Sequence, residues 1–241
     1  MRLLLIRHAD PDYERDSITE KGKRETALLT ERLAKEQIDR VYCSPLGRAQ
    51  ATARPYLERS GLTAQTCEWL REFQGAIADP VTGEQRICWD LLPRHFTALD
   101  GLYQPDKWLD TPPLNTASVR ENTGMVYDGV DALLARHGYV RDGRLYRAEH
   151  ANEDTLALFC HFGVICVILS RLFSTTPVLY WQQFVALPSS VTVLHTEERE
   201  QGKAIFRCSA FGDTSHLYAG GEPLSFSARF CETYTRFDQR H

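Results

Sequence analysis

Short apolar runs that stop at charged or imidazole side chains constrain the fold of this chain most strongly. Residues 2–6 form the first run and are followed by Arg7 and His8, and the run 155–160 is followed by His161. Runs of this length are typical of strands buried in a sheet, and helical segments separate them in the first third of the chain. This alternation predicts an α/β fold around a mostly parallel sheet.

Local signals set the expected bounds of the elements. Thr19 is a predicted N-cap for a helix over residues 20–36. Ser44 and Pro45 open a second predicted helix, which ends at Gly61. The other predicted elements are strands over 40–44, 63–73, 155–160, 189–197 and 203–213, and a helix from about Gly163.

The regular alternation stops between residues 74 and 154. This segment is rich in Pro, Asp, Trp and Gly, which are typical of loops and turns. Within it, Ser118 and Glu121 form a predicted capping box ahead of a helix, and residues 142–143 form a predicted hairpin turn. We interpret 74–154 as a mainly helical lid inserted into a single α/β domain that spans residues 1–241.

Two tryptophans of this segment, Trp89 and Trp108, allow two interpretations. One places them with Arg94 and Lys107 on the substrate side of a lid, because variable segments beside a fixed site commonly set specificity. The other, which we favour, makes the tryptophans the small core of the segment.

Composition excludes several classes of protein. A net charge of -4 and a pI near 6.1 argue against nucleic-acid or membrane-surface binding, so any anion is bound locally. The seven cysteines are scattered without a C-x-x-C pair, which predicts reduced thiols. The first apolar run reaches Arg7 too early for a secretory signal, and no run is long enough to span a membrane. We therefore expect a cytoplasmic protein, of unknown oligomeric state.

Polar residues collect where the predicted strands end. They are Arg7 and His8 after the first strand, Arg48 in the helix after the second, Glu72 after the third and His161 after the fourth. Ligands of open α/β sheets bind at the carboxyl ends of the strands, so we expect these side chains to converge. Arginine forks and a helix N-terminus both suit a phosphate dianion. An imidazole beside two arginines is held neutral, and is hence nucleophilic.

The motifs "LLLIRHAD", "YCSPLGRAQATA", "LREFQG" and "CHFGV" occur in this order along the chain. Together they resemble the histidine phosphatase superfamily, also called the phosphoglycerate mutase-like family, and "FGDTSH" resembles its late strand-end motif. The resemblance covers the regular parts of the chain but not residues 74–154. It implies a three-layer α/β/α sandwich and a small-molecule phosphate ester as the ligand.

The resemblance also implies a role for each residue of the cluster. His8 attacks phosphorus and becomes a phosphohistidine. Arg7, Arg48 and His161 hold the phosphoryl oxygens. Glu72 is the general acid that protonates the leaving alcohol. Phosphoryl transfer needs positioning and charge neutralisation above all, and these side chains supply both, so no metal or other cofactor is expected.

The chain leaves the common family pattern directly after the Arg-His pair. Many members continue with glycine and then Glu or Gln, where this chain has Ala9 and Asp10. Extra acid beside a dianion is unfavourable unless it points away. Asp10 is a candidate contact to a substrate hydroxyl, but we favour a solvated or arginine-paired acid. Phe162 replaces the aspartate that acts as the acid in the acid phosphatase and phytase branch, which favours Glu72 as the acid.

These features predict a phosphomonoesterase that acts without metal on a small phosphorylated metabolite. Two alternatives stay open, namely phosphoglycerate mutase-type phosphoryl transfer and a non-catalytic phospho-ligand binding protein. The sequence after Glu72 does not match the mutase motif, and every expected catalytic residue is present, so we favour hydrolysis. The remaining histidines are expected to be structural or on the surface; they are His95, His137, His150, His195, His216 and His241.

Overall fold

The computed structural model describes residues 1–227 and Thr235. Before residue 74 its elements are β1 (Arg2–Arg7), β2 (Pro11–Asp12), β3 (Ser17–Ile18), α1 (Glu20–Leu33), β4 (Arg40–Cys43), α2 (Gly47–Ser60) and β5 (Ala64–Thr66). Residues 74–154 contain β6 (Ala76–Ala78), β7 (Gln85–Ile87), α3 (Pro93–Phe96), α4 (Ala117–Arg136), β8 (Tyr139–Asp142) and β9 (Leu145–Ala148). The rest are β10 (Thr155–Cys160), α5 (Phe162–Phe173), α6 (Pro177–Gln183), β11 (Val191–Glu200), β12 (Lys203–Asp213) and α7 (Ser215–Ala219).

Eight strands form the central sheet, in the order β5-β4-β10-β1-β11-β12-β9-β8. The strands from β5 to β1 pair in parallel, and every pair from β1 to β8 is antiparallel. Because the antiparallel steps alternate in direction, β12 and β8 run with β1, whereas β11 and β9 run against it. Most of the strands in this sheet therefore share one direction, as predicted.

Alternate residues of β1 pack into two separate cores. Leu3 and Leu5 lie in the cluster that includes the buried faces of α4 and α5. Leu4 and Ile6 lie in the cluster with α1 and α2. Successive side chains of a strand point to opposite faces of the sheet, so the two clusters lie on opposite sides of it. The predicted three-layer α/β/α arrangement is thereby confirmed.

The Thr19 cap of the first helix and the end of the second helix at Gly61 are confirmed, whereas the predicted opening of the second helix at Ser44 and Pro45 is wrong. The Thr19 hydroxyl accepts a hydrogen bond from the Gly22 backbone N–H at 3.1 Å, which caps α1. Gly61 follows α2 with φ at 73°, in the left-handed region that a residue without a Cβ adopts at low cost. Helix α2 begins at Gly47, two residues later than the predicted start at Pro45.

The predicted strand over residues 63–73 is wrong for most of its length. Only Ala64–Thr66 is extended, and a 3₁₀ turn covers Glu68–Leu70. This turn carries Leu70 into the core, where it is fully buried. Short apolar runs fit a buried turn as well as a strand, and this one follows the end of β5, the strand at one edge of the sheet.

The predicted capping box of α4 is also wrong. The helix begins at Ala117, and the Thr116 hydroxyl caps it by accepting a hydrogen bond from the Val119 backbone N–H at 3.2 Å. Ser118 lies inside the first turn, and its hydroxyl donates to the Gln74 carbonyl oxygen at 3.3 Å. Two residues that both fit an N-cap stand close together here, and tertiary packing selects the earlier one.

The segment 74–154 divides into two parts. In residues 74–116, β6 and β7 pair with each other, and short helical turns carry Leu102 and Trp108 into the core shared with α5. Residues 117–148 supply α4 and the hairpin of β8 and β9, which extends the central sheet at its edge. The predicted turn at residues 142–143 joins these two strands. That the whole segment is an insertion in a single domain stays a prediction.

Six of the seven cysteines lie in the described part of the chain, and all six are free. Five of them are buried, and Cys208 is exposed. The seventh, Cys231, lies outside the described residues, as does His241. No helix within residues 1–227 combines the length and the apolar character that crossing a membrane requires.

Candidate active site

The five side chains expected to form a site converge at the carboxyl ends of the parallel strands. Arg7 ends β1 and His8 follows it, while His161 follows the neighbouring strand β10. The two strands pair in register, with Arg7 beside Cys160, so the two histidines come next to each other. Arg48 comes from the first turn of α2, and Glu72 follows the 3₁₀ turn after β5.

His8 is buried, and one hydrogen bond fixes its tautomer. Its Nδ1 lies 2.8 Å from the Ala9 carbonyl oxygen. A carbonyl oxygen can only accept, so Nδ1 carries the proton and Nε2 keeps the lone pair that a nucleophile needs. Burial, and then the positive charges of Arg7 and Arg48, hold the pKa of His8 well below 6.5. The imidazole is therefore neutral at physiological pH.

His161 lies against His8, with ring centroids 5.1 Å apart and ring planes tilted by 54°. Its Nε2 is 2.8 Å from the hydroxyl of the buried Ser44. Burial, and then the neighbouring His8, hold the pKa of His161 well below 6.5. Ser44 also accepts a hydrogen bond from the Leu46 backbone N–H at 3.2 Å. In the tautomer in which the Ser44 hydroxyl donates to Nε2, the imidazole proton of His161 resides on Nδ1.

Each of the two arginines is held at one end of its guanidinium. The Arg7 Nη1 donates to the Ala186 carbonyl oxygen at 2.6 Å. The Arg48 Nη1 donates to Asp16 Oδ1 at 2.6 Å. Burial lowers the pKa of Arg7, but arginine starts so high that the side chain stays charged. The site therefore contains two permanent positive charges.

Three buried nitrogens of the site have no hydrogen-bond partner within the described residues. They are Arg7 Nε, Arg48 Nε and His161 Nδ1. A buried donor without a partner costs about 1–3 kcal/mol, and more if it is charged. With the His161 proton on Nδ1, three such donors lie beside the neutral imidazole of His8, and this arrangement suits a ligand with several acceptor oxygens and negative charge.

Glu72 lies beside this cluster as a partly buried carboxyl. Its Oε1 accepts hydrogen bonds from the backbone N–H groups of Phe73 at 2.8 Å and Val164 at 3.2 Å. Burial raises the pKa of Glu72 above 4.5, although these two hydrogen bonds and the charge of Arg7 act against the shift. A raised pKa favours the protonated carboxyl that a general acid needs.

Glycine at position 163, in the first turn of α5, permits the close approach of Glu72. A Cβ on Gly163 would lie 2.7 Å from Glu72 Oε1 and 2.9 Å from Trp89 Nε1. Both distances are below van der Waals contact, so a larger residue here would displace the carboxyl or the indole. The same geometry places Trp89, which belongs to the segment 74–154, directly beside Glu72.

Asp10 is directed away from this cluster. Its Oδ2 accepts from the Thr19 hydroxyl at 2.6 Å, and its Oδ1 accepts from the Ser225 hydroxyl. Its backbone N–H donates to the buried Glu25 at 2.8 Å. The favoured interpretation of a solvated or arginine-paired acid is wrong, because the carboxylate partners in the described chain are two hydroxyls. Its contact to a substrate hydroxyl stays a prediction.

Three residues of the site were missed by the sequence analysis, namely Tyr13, Asp16 and Ser44. Asp16 binds Arg48 from 32 positions away in the sequence, and Ser44 binds His161 from 117 positions away. The Arg48 guanidinium lies 5.5 Å from the centre of the Tyr13 ring. No local pattern reports contacts at such separations, although the position of Ser44 at a strand end is one usable signal.

The four lid candidates of the segment 74–154 separate in the structure. Trp108 is buried in the main core, whereas Trp89 lies beside Glu72 and donates from Nε1 to the Phe73 carbonyl oxygen at 3.2 Å. Trp108 thus follows the core interpretation, and Trp89 packs partly buried against the same core, so that its place in a lid over the substrate stays a prediction. Arg94 donates from Nε to the ring of its neighbour His95 at 2.9 Å, and Lys107 is exposed.

The remaining described histidines lie apart from this cluster. His137 contacts the Tyr42 hydroxyl at 2.8 Å, and His195 is exposed beside Ser209. His216 is buried, with its Nε2 3.2 Å from the Ser189 hydroxyl. The Ser189 backbone N–H donates to the His8 carbonyl oxygen at 3.0 Å, so His216 supports the main chain beside His8.

The class of the protein follows from the family that this fold and cluster match. A model of the histidine phosphatase superfamily, branch 1, matches residues 3–207. The match covers most of the chain, and the chain belongs to this family. The predicted enzyme class, a histidine phosphatase, is thereby confirmed.

Individual relatives are distant but extend over most of the chain. The chain is 23% identical to phosphoserine phosphatase 1 of Hydrogenobacter thermophilus, over 83% of this chain and 88% of that protein. It is similar to a variant of phosphoserine phosphatase from Entamoeba histolytica in complex with phosphoserine, with a TM-score of 0.59 and 17% identity over 90% of this chain and 98% of that one. It is also similar to a mycobacterial glucosyl-3-phosphoglycerate phosphatase in complex with VO3, with a TM-score of 0.59 and 19% sequence identity. That match covers 88% of this chain and 99% of the other. At these identities, the solved structures establish the shared fold.

Proposed function

We propose that this histidine phosphatase hydrolyses a small phosphorylated metabolite, with His8 as the nucleophile. The observation that carries the proposal is the set of three unpartnered buried donors beside His8, namely Arg7 Nε, Arg48 Nε and His161 Nδ1. A phosphoryl group has three peripheral oxygens, so it supplies one acceptor for each donor. Its negative charge matches the two arginines.

In the first step, His8 Nε2 attacks phosphorus and the bond from phosphorus to the ester oxygen breaks. Glu72 gives its proton to the leaving alcohol, and the phosphoryl group remains on His8. In the second step, water attacks phosphorus and gives a proton to the Glu72 carboxylate. The bond from phosphorus to nitrogen then breaks, and inorganic phosphate and neutral His8 are regenerated. Arg7, Arg48 and His161 hold the phosphoryl oxygens through both steps.

The proposal assigns no role to a metal. Positive charge comes from Arg7 and Arg48, and a hydrogen-bond donor comes from His161, all placed before substrate arrives. Preorganised donors of this kind stabilise the charge of the phosphoryl group without rearranging during the reaction. The relatives named above act on phosphoserine and on glucosyl-3-phosphoglycerate, which supports a small phosphorylated metabolite as the substrate class.

The test is phosphate release from a panel of phosphorylated metabolites, with and without a chelator. We expect release that the chelator leaves unchanged and that His8→Ala lowers by about 10⁴-fold or more, the scale on which loss of a nucleophile acts. His195→Ala is the matched control, because this histidine is exposed and remote from the cluster. An acid-labile, base-stable phosphoryl adduct should form on wild type and not on His8→Ala.

Three results would contradict the proposal in different ways. Turnover by His8→Ala at the wild-type rate would exclude His8 as the nucleophile. Interconversion of phosphoglycerate isomers with little free phosphate would indicate a mutase. Binding of phosphorylated ligands without release from any of them would indicate a non-catalytic binding protein.

A further inference from the structure

The turn between β2 and β3 contacts Arg48 through two of its residues. Asp16 accepts from Arg48 Nη1 with its Oδ1 at 2.6 Å and from the Gly47 backbone N–H with its Oδ2 at 2.6 Å. The ring of Tyr13 lies 5.5 Å from the Arg48 guanidinium carbon. Both contacts join residues 32 to 35 positions apart, so they depend on the fold. The Asp16 carboxylate therefore binds both the first backbone N–H of α2 and the Arg48 side chain.

The backbone of this turn is shaped for the contact. Asp16 adopts φ of 45°, in the left-handed region that costs energy for a residue with a Cβ. A Cβ on Gly47 would lie 2.1 Å from the Asp16 carbonyl oxygen, so only glycine permits this approach. Strain at a residue is kept where the surrounding structure requires it, and such residues concentrate at functional sites.

Arg48 depends on Asp16 for its orientation. The side chain is long and has many rotamers, so a fixed guanidinium requires at least one strong partner. Arg7 obtains this partner from a backbone carbonyl, that of Ala186 at 2.6 Å. For Arg48 the corresponding partner is the Asp16 carboxylate, which leaves Nε buried and unpartnered within the described residues.

The charge of Asp16 is compatible with a phosphate nearby. Burial acts to raise the pKa of Asp16, but hydrogen bonds from Gly47 and Arg48 outweigh it and lower the pKa, so the carboxylate is ionised. Both of its oxygens are occupied by donors, which neutralise much of its field toward a bound dianion. The carboxylate thus acts on the ligand through Arg48 and not by direct contact.

We propose that Asp16 is a positioning residue, whose carboxylate orients Arg48 so that its free Nε faces the phosphoryl group. This inference rests on the proposed function, because it assumes that Arg48 binds the phosphoryl oxygens. Asp16 itself touches neither substrate nor the reacting atoms.

The test is a double-mutant cycle of Arg48→Ala and Asp16→Ala, in which kcat/KM is measured with p-nitrophenyl phosphate. Arg48→Ala should lower kcat/KM by about 10²- to 10³-fold, the cost of removing one preorganised donor. Asp16→Ala should lower it by about ten- to a hundredfold, because a misplaced group loses most of its effect. In the Arg48→Ala background, Asp16→Ala should have no further effect. Asp12→Ala is the matched control, since this carboxylate of the same turn pairs with Arg15 at 3.0 Å.

A second measurement separates positioning from a structural role. Guanidinium ion added to Arg48→Ala should restore part of the activity, because Asp16 can hold the free cation, and the double variant should show no such rescue. Asp16→Asn keeps an acceptor oxygen and tolerates the left-handed conformation, so it should retain more activity than Asp16→Ala. It also serves as the test variant if Asp16→Ala does not fold.

Additive losses in the cycle, or equal rescue of the single and double variants by guanidinium, would overturn the inference. Inhibition of wild type and Asp16→Ala by inorganic phosphate distinguishes failure of this inference about Asp16 from failure of the proposed function. If His8→Ala retains turnover, the proposed mechanism fails. Weaker inhibition of Asp16→Ala by phosphate would still support Asp16 as the residue that orients Arg48. Unchanged inhibition would contradict it.

Discussion

The candidate site at the carboxyl ends of the parallel strands and the segment 74–154 differ in how their buried charged side chains are paired. In the segment, buried Asp79 is matched by Arg86 at 2.9 Å and by the backbone N–H groups of Val81 and Thr82. In the cluster, Arg48 pairs with Asp16 at 2.6 Å, whereas Arg7 forms no salt bridge within the described residues and has the Ala186 carbonyl oxygen as its partner. A paired charge stabilises a fold, whereas the positive charge of Arg7, which no carboxylate pairs, suits the binding of an anion.

Of the following predictions, the one with the largest expected effect concerns Glu72, the proposed general acid. Glu72→Gln keeps an oxygen for the backbone N–H groups of Phe73 and Val164 but cannot donate a proton. We expect kcat for alkyl phosphate esters to fall by about 10²- to 10⁴-fold. The loss for p-nitrophenyl phosphate should be far smaller, because that leaving group needs no proton.

The pH profile of wild type tests the same assignment. His8 must be neutral to attack, so activity is lost as pH falls through its lowered pKa. Glu72 must be protonated to donate, so activity with alkyl esters is lost as pH rises through its raised pKa. The bell-shaped profile of kcat/KM should lose its alkaline limb in Glu72→Gln. Equal losses of activity in Glu72→Gln with alkyl and aryl esters would indicate a different acid.

A substitution in the core of the segment should act on stability alone. Leu114 is fully buried, and Leu114→Ala should lower the free energy of unfolding by about 2–5 kcal/mol, measured by urea denaturation. Its kcat/KM per folded molecule should equal that of wild type. Leu99→Ala, at a side chain 37% exposed, is the control with the same chemical change. If Leu114→Ala lowered kcat/KM as much as Glu72→Gln does, the segment would affect catalysis as the candidate site does, and this prediction would be wrong.

The buried carboxyls of Glu25 and of Asp79 should contribute to the stability of the fold with opposite dependence on pH. Burial raises the pKa of Glu25 to about 7, whereas hydrogen bonds from Val81 and Thr82 lower the pKa of Asp79. Glu25 binds its proton more tightly in the folded state, so its contribution to stability is full below pH 4.5 and is lost as pH rises to about 7. Asp79 contributes above its ordinary pKa of 3.8 and loses this contribution as pH falls.

We therefore expect Glu25→Gln to be more stable than wild type at pH 8, by roughly 1–3 kcal/mol. At pH 4 the two proteins should be nearly equal. Asp79→Asn should be less stable than wild type at pH 8. Urea denaturation at both pH values measures all three proteins, and a Glu25→Gln variant that is less stable at pH 8 would contradict the assignment.

The smallest effect is expected at Trp89, which belongs to the segment by sequence and to the cluster by position. Trp89→Phe removes the hydrogen bond from Nε1 to the Phe73 carbonyl oxygen and shortens the side chain beside Glu72. We expect the ratio of kcat/KM between phenyl and naphthyl phosphate to change by roughly tenfold or less. The control is Trp69→Phe, at a partly buried tryptophan packed against Gly129 of α4. An unchanged ratio would show that Trp89, like Leu114, has no effect on the choice of substrate.

Features that depend on residues close together in the sequence could be predicted, whereas features that depend on contacts between distant parts of the sequence could not. The cap at Thr19, the end of α2 at Gly61 and the strand before His161 are local, and the sequence predicted them correctly. The 3₁₀ turn at Glu68–Leu70 and the choice of Thr116 as a cap depend on packing against distant elements, so local signals predicted them incorrectly.

The candidate site shows the same division. Arg7, His8 and His161 follow strands, and strand ends can be read from apolar runs. Asp16 and Tyr13 contact Arg48, and no feature of their own neighbourhood in the sequence marks them. The hairpin of β8 and β9 was predicted correctly as a hairpin, but its place at the edge of the central sheet depends on pairing with β12, from residues 203 onward.

The hydrogen bond from His8 Nδ1 to the Ala9 carbonyl oxygen also determines the chemistry of the proposed adduct. With Nδ1 protonated and engaged, phosphorus bonds to Nε2, and the product is the 3-phosphohistidine isomer. Antibodies that discriminate the two phosphohistidine isomers would therefore bind the trapped enzyme with only one of the two specificities. In the proposed mechanism, a backbone oxygen one residue away thus sets the regiochemistry of the adduct, independently of which ester is cleaved.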